Sequence, residues 1–173
     1  MSSEGHFLYF AFGSNLLRER LRLLNPSAEY HCTAKLQDYS LRFGHWGAQW
    51  NSRWHGGVAT IEELKEAHVW GVVWKISNDD LPSLDEQEGV PSGIYRPLEV
   101  SVETEGGQLR CRTYQLKTFE CSLPSPPYKK VRAKMMWPRH ISLVLMTGVP
   151  PHRTYATYNS HPIHLLMSSP LHT

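Results

Sequence analysis

The chain has 173 residues, 40% of them apolar, with a formal charge of +2, enough to bury one sizeable core and too short to favour several domains. It has no apolar run near the roughly 18 residues of a membrane span, and Met1-Ser2-Ser3-Glu4 lacks the basic and apolar regions of a signal peptide, so a soluble, unsecreted, cytoplasmic protein without a membrane partner is expected. Cys32, Cys111 and Cys121 are odd in number and show no C-x-x-C spacing, which favours reduced thiols over a disulfide framework or a zinc site.

In chain order, His6–Phe12 is an apolar, aromatic run of strand length that ends in the turn-forming Gly13-Ser14-Asn15. Leu16, Leu17, Leu21 and Leu24 then recur at helical spacing until Asn25-Pro26, giving strand, glycine turn, helix, with Phe10 and Phe12 facing the core. Two short strands follow, Ala34–Phe43 and Gly57–Ile61, joined by a Trp- and Gly-rich loop, and then a stronger β-branched strand, Val69–Ile76. Ser77 or Asn78 caps a short helix carrying Leu81 and Leu84, and Tyr95–Thr104 with Leu109–Leu116 form a hairpin about Gly106-Gly107. Short strands with two helices indicate an α+β barrel-like domain. Residues 1–120 carry 12 basic and 16 acidic residues, net −4, whereas residues 121–173 carry six basic residues and no acid. Beyond residue 130 the sequence is rich in His, Met and Pro and lacks sustained periodicity, so residues 131–173 are expected to be a poorly ordered basic tail.

Three features can carry chemistry. Tyr9–Leu16 ends a strand in Gly-Ser-Asn before a helix, a turn that can aim backbone N–H groups at a carboxylate. On spacing alone it reads first as an ordinary turn, with Gly13 at positive φ and Ser14 or Asn15 capping. Asp85, Glu86 and Glu88 crowd three acids into four positions, so one turned inward would have a raised pKa suited to proton transfer; a solvated helix end is the alternative. Tyr95, Tyr114 and Tyr128 read as barrel-lining residues first and ligand contacts second. His55 and His68 stand in no ligand spacing and no H-E-x-x-H occurs, so no metal is expected.

Residues 9–16 and 84–89 together resemble the γ-glutamylcyclotransferase family, whose members carry Tyr-Phe-Ala-Tyr-Gly-Ser-Asn-Leu near the N-terminus and a Leu-Asp-Glu-Gln-Glu-Gly segment. The resemblance runs on through Asn25-Pro26-Ser27-Ala28, Leu36-Gln37-Asp38, Trp54-His55-Gly56-Gly57, Val69–Lys75, Cys111-Arg112 and Pro124-Ser125-Pro126 to Tyr128-Lys129-Lys130. It implies a small mixed β-barrel with flanking helices over residues 7–130, commonly dimeric. It also implies Glu88 as catalytic acid/base, with Tyr9, Phe10, Ala11, Phe12, Gly13, Ser14 and Tyr128 binding substrate. The implied reaction cyclises a small γ-glutamyl peptide to 5-oxoproline with no cofactor, and the Gly-Ser-Asn loop points to the branch acting on γ-glutamyl amino acids. Phe12 stands where the family usually has Tyr, and residues after Lys130 depart from the family pattern. Two other functions compete: a γ-glutamyl-binding protein of the same fold without turnover, and a nucleic-acid module using the basic tail, which nothing in residues 1–120 supports.

Overall fold

The computed structural model describes residues 5–46 and 56–126. The strands are β1 (His6–Ala11), β2 (Glu29–His45), β3 (Val58–Ser77), β4 (Tyr95–Thr104), β5 (Gly107–Leu116) and a short β6 (Glu120–Cys121). Helix α1 (Arg18–Arg22) lies between β1 and β2, and α2 (Leu81–Gln87) between β3 and β4. The sheet runs β3-β1-β5-β4-β2 and closes through a β2–β3 pairing, with β6 appended to β2. β1 and β5 are parallel and the other pairs antiparallel, so this is the mixed barrel with flanking helices that the sequence implied.

The strand period of two divides the core. Phe10 and Phe12 face inward against Val73, Ile61, Val102 and Leu36, all buried within the barrel. Tyr9 and Ala11 face the other way, where Leu21, Trp74, Ile76, Leu84 and Tyr114 form a second buried cluster beneath the helices. Each fully buried large side chain stabilises the fold by roughly 1.5–3 kcal/mol. Gly71 lets β1 and β3 approach, since a Cβ there would overlap the Ala11 carbonyl oxygen and the Phe10 ring.

Two expectations change. The strands expected at Gly57–Ile61 and Val69–Ile76 are the arms of one strand, β3. Its pairing with β2 jumps from Gln37↔His68 to Tyr39↔Glu63, so that residues 64–67 face Asp38 alone. Asp38 and Glu66 take positive φ at this bulge, and the Asp38 carboxylate accepts the Glu66 N–H at 2.9 Å. The helix expected from the leucine spacing is shorter: Ser14–Leu16 forms a 3-10 turn, α1 begins at Arg18, and Leu24 is exposed. The proposed unit boundary at residue 130 and the tail lie outside the described residues.

Candidate active site

Glu88 owes its position to the end of α2. It is the C-cap residue, Gly89 follows at φ +67°, and the Gly89 and Val90 N–H groups donate to the carbonyls of Glu86 and Asp85, the paired bonds of a Schellman termination. This turns the Glu88 side chain toward the C-terminal end of β1. There Asn15, buried in the turn after β1, donates from Nδ2 to Glu88 Oε1 at 2.8 Å and to the Tyr9 hydroxyl at 3.2 Å. The Tyr9 hydroxyl lies 3.5 Å from the same carboxyl oxygen.

The Asn15 side chain is itself held. Its Oδ1 accepts from Gln87 Nε2 at 3.0 Å, and Gln87 Oε1 accepts from the fully buried Asn25 at 2.8 Å, a chain of amides from the end of α1 to the Glu88 carboxyl. The indole of Trp74 donates to the Asn15 carbonyl at 3.1 Å.

Burial pushes the Glu88 carboxyl up from 4.5 to about 7, against the opposing effects of the Arg20 charge and the Tyr9 and Asn15 hydrogen bonds. Crowding by neighbouring acids, the cause expected from the sequence, is the smallest contribution, from Asp85 alone. Asp85 is engaged elsewhere: Arg112 grips its two oxygens at 2.7 and 2.9 Å, and the Tyr114 hydroxyl donates to it while accepting from Arg112 Nε at 2.9 Å. Burial and this carboxylate keep the Tyr114 phenol protonated.

Tyr9, Phe12, Gly13, Ser14, Asn15, Tyr95, Tyr114 and Glu88 line a pocket of about 30 Å³. It adjoins a groove of about 280 Å³ that shares Ser14, Tyr95 and Glu88. The structure thus brings together Tyr9, Phe12, Gly13, Ser14 and Glu88 of the residues named from the sequence. Phe10 and Ala11 are packed in the two cores and line neither space, so they support the site from behind. Tyr128 lies outside the described residues. Gly13 has φ −113°, so the positive φ anticipated for it is absent. Asn15 and Gln87 escaped notice as site residues, although both stand inside the two motifs; Tyr95 and Tyr114 read from sequence as lining residues and are so in the pocket itself. A separate groove of about 670 Å³ beside Cys32 and Trp70 contains none of these residues. Among the described residues no cluster of His, Cys, Asp and Glu is arranged to hold a metal ion.

Curated relatives share much of this sequence. The chain is 55% identical over 132 residues to a γ-glutamylcyclotransferase from Bos taurus, covering 75% of this chain and 70% of the relative. It is 53% identical over 129 residues to one from Homo sapiens, covering 74% and 69%. The chain belongs to the γ-glutamylcyclotransferase family. Residues 68–135, which include Glu88, match the AIG2-like family model. A solved γ-glutamyl cyclotransferase structure superposes with TM-score 0.77 at 43% identity, covering 88% of this chain and 92% of that one. Within this γ-glutamylcyclotransferase fold, the loop after β1 and the end of α2 are the two segments that meet at the pocket.

Proposed function

We propose that the protein converts L-γ-glutamyl amino acids to 5-oxo-L-proline and a free amino acid, with Glu88 as the acid/base. The observation that carries this is a carboxyl pushed up to about 7, oriented by Asn15 in a pocket whose described lining is otherwise three tyrosines, Phe12, Ala59 and the Gly13-Ser14 turn. A γ-glutamyl amide contains its own nucleophile. Its α-amine closes a five-membered ring on the γ-carbonyl, and such intramolecular attack is worth effective molarities on the order of 10⁵–10⁸ M. The protein need only fold the substrate and move protons.

The new C–N bond forms as the α-nitrogen attacks, and the original amide C–N bond breaks as the tetrahedral intermediate collapses. The α-ammonium loses two protons in becoming the ring N–H, and the leaving nitrogen gains two in becoming an ammonium. Glu88 relays them, accepting as carboxylate and donating as carboxylic acid, roles interchangeable near its pKa. Gly13 and Ser14 serve the carbonyl oxygen and the α-carboxylate, in a turn whose 3-10 segment has no side-chain N-cap. No cofactor enters this scheme. The activity belongs to glutathione and γ-glutamyl turnover in the cytoplasm; no helix among the described residues is long and apolar enough to cross a membrane. A homodimer is part of the same reading, and sedimentation of the purified chain tests it.

The test is product analysis with γ-L-glutamyl-L-alanine. Equal yields of 5-oxoproline and alanine support cyclisation, glutamate in place of 5-oxoproline would mean hydrolysis, and binding without product would leave a γ-glutamyl-binding protein.

A further inference from the structure

We propose that Arg20 holds the carboxylate of the departing amino acid, which makes the groove outside the Glu88 pocket a subsite for α-amino acid leaving groups. This rests on the cyclisation reading above and assigns its outer half. Arg20, partly buried in α1, is the basic residue among the described residues that line the groove. Its positive charge is felt at the Glu88 carboxyl. Glu86 and Glu88 also line the groove, and Trp46, Val58 and Ile94 give it apolar lining. A space lined by a cation, two carboxyl groups and apolar side chains matches a zwitterionic amino acid bearing an apolar side chain.

Substrate connectivity decides which of the two carboxylates reaches Arg20. The inner pocket has room for roughly two waters, so it admits the reacting atoms and what is bonded directly to them. The glutamyl α-carboxylate sits on the carbon that bears the attacking amine and must follow it inward, toward Gly13 and Ser14. The leaving amino acid's carboxylate sits on the carbon attached to the scissile nitrogen, on the outer side, where the groove continues past Ser14 and Glu88. After cleavage, the ammonium of the released amino acid faces the acids of α2 and its carboxylate faces α1.

The experiment compares kcat/KM for γ-L-glutamyl-L-alanine and γ-L-glutamylethylamine, which differ only in the leaving-group carboxylate, using 5-oxoproline release by the full chain. The wild type should prefer the alanine compound by on the order of tenfold, the value of one charge-assisted hydrogen bond, mainly through KM. Arg20→Gln should bring the ratio to about one, and Arg20→Lys should retain part of it. Because the ratio is taken within each enzyme preparation, a partly unfolded variant does not distort it. A wild-type ratio near one, or an Arg20→Gln variant that slows both substrates while keeping the preference, would overturn the assignment. Failure of the wild type to release 5-oxoproline from either compound would remove the cyclisation reading and this subsite with it.

Discussion

Glu88 binds its proton near neutrality because burial outweighs one cation and two hydrogen-bond donors that favour its charged form. That has a stability consequence of definite sign. Between about 4.5 and about 7 the folded chain keeps a proton on Glu88 that the unfolded chain has released. Stability is therefore full below this window, falls as pH rises through it, and levels off above, by about 3 kcal/mol in all. Urea denaturation at pH 5 and pH 8 should show that Glu88→Gln loses less stability across this interval than the wild type does; parallel losses would contradict the shifted carboxyl. Asn15→Ala should move the acidic limb of the pH–rate profile upward, since it removes a hydrogen bond that lowers the Glu88 pKa. A fall in Tm with an unmoved limb would reduce Asn15 to a packing role. Glu88 was legible because it stands in a recognisable segment. Asn15 was not, since an amide in a glycine turn reads as a cap, and nothing local tells that it reaches a carboxyl 73 residues away.

Helix α2 shows how an element's ending positions the Glu88 carboxyl. Gly89 takes φ +67°, a conformation that costs residues with a side chain about 1–2 kcal/mol, and a Cβ there would come within 2.9 Å of Ile94 Cδ1. Gly89→Ala should lower stability by about that amount, read as a drop in Tm, and should lower kcat as well because Glu88 immediately precedes the distorted turn; an unchanged kcat would uncouple the helix end from the site. The hairpin of β4 and β5 was legible from Gly106-Gly107 and its flanking strands. The union of two strands into β3 was not, because Glu62, Glu63, Leu64, Lys65 and Glu66 look like a polar loop. The structure makes them the middle of β3 and its bulge, where mostly exposed side chains need no apolar alternation. The leucine spacing overextended α1 for a related reason. The Asn25 side chain and backbone N–H both take the Leu21 carbonyl, fixing the helix end and leaving Leu23 and Leu24 outside the core.

At the scale of the molecule, the antiparallel pairing of β1 with β3 sets the turn after β1 beside the helix that follows β3, so Asn15 and Glu88 meet across a long sequence separation. The proposed unit 7–130 predicts that a chain ended at Lys130, which keeps Tyr128, forms 5-oxoproline at a rate close to that of the full chain. Loss of folding or of turnover on truncation would give residues 131–173 a part in the enzyme. The central claim is that one carboxyl moves the protons of an intramolecular cyclisation, and its most direct test is the rate of 5-oxoproline release from γ-L-glutamyl-L-alanine by the wild type, Glu88→Gln and Glu86→Gln. The expected result is a kcat at least about 10² lower for Glu88→Gln, a wild-type rate that rises through pH 7, and a much smaller effect for Glu86→Gln. Near-normal turnover by a folded Glu88→Gln, or equal losses in both variants, would contradict it.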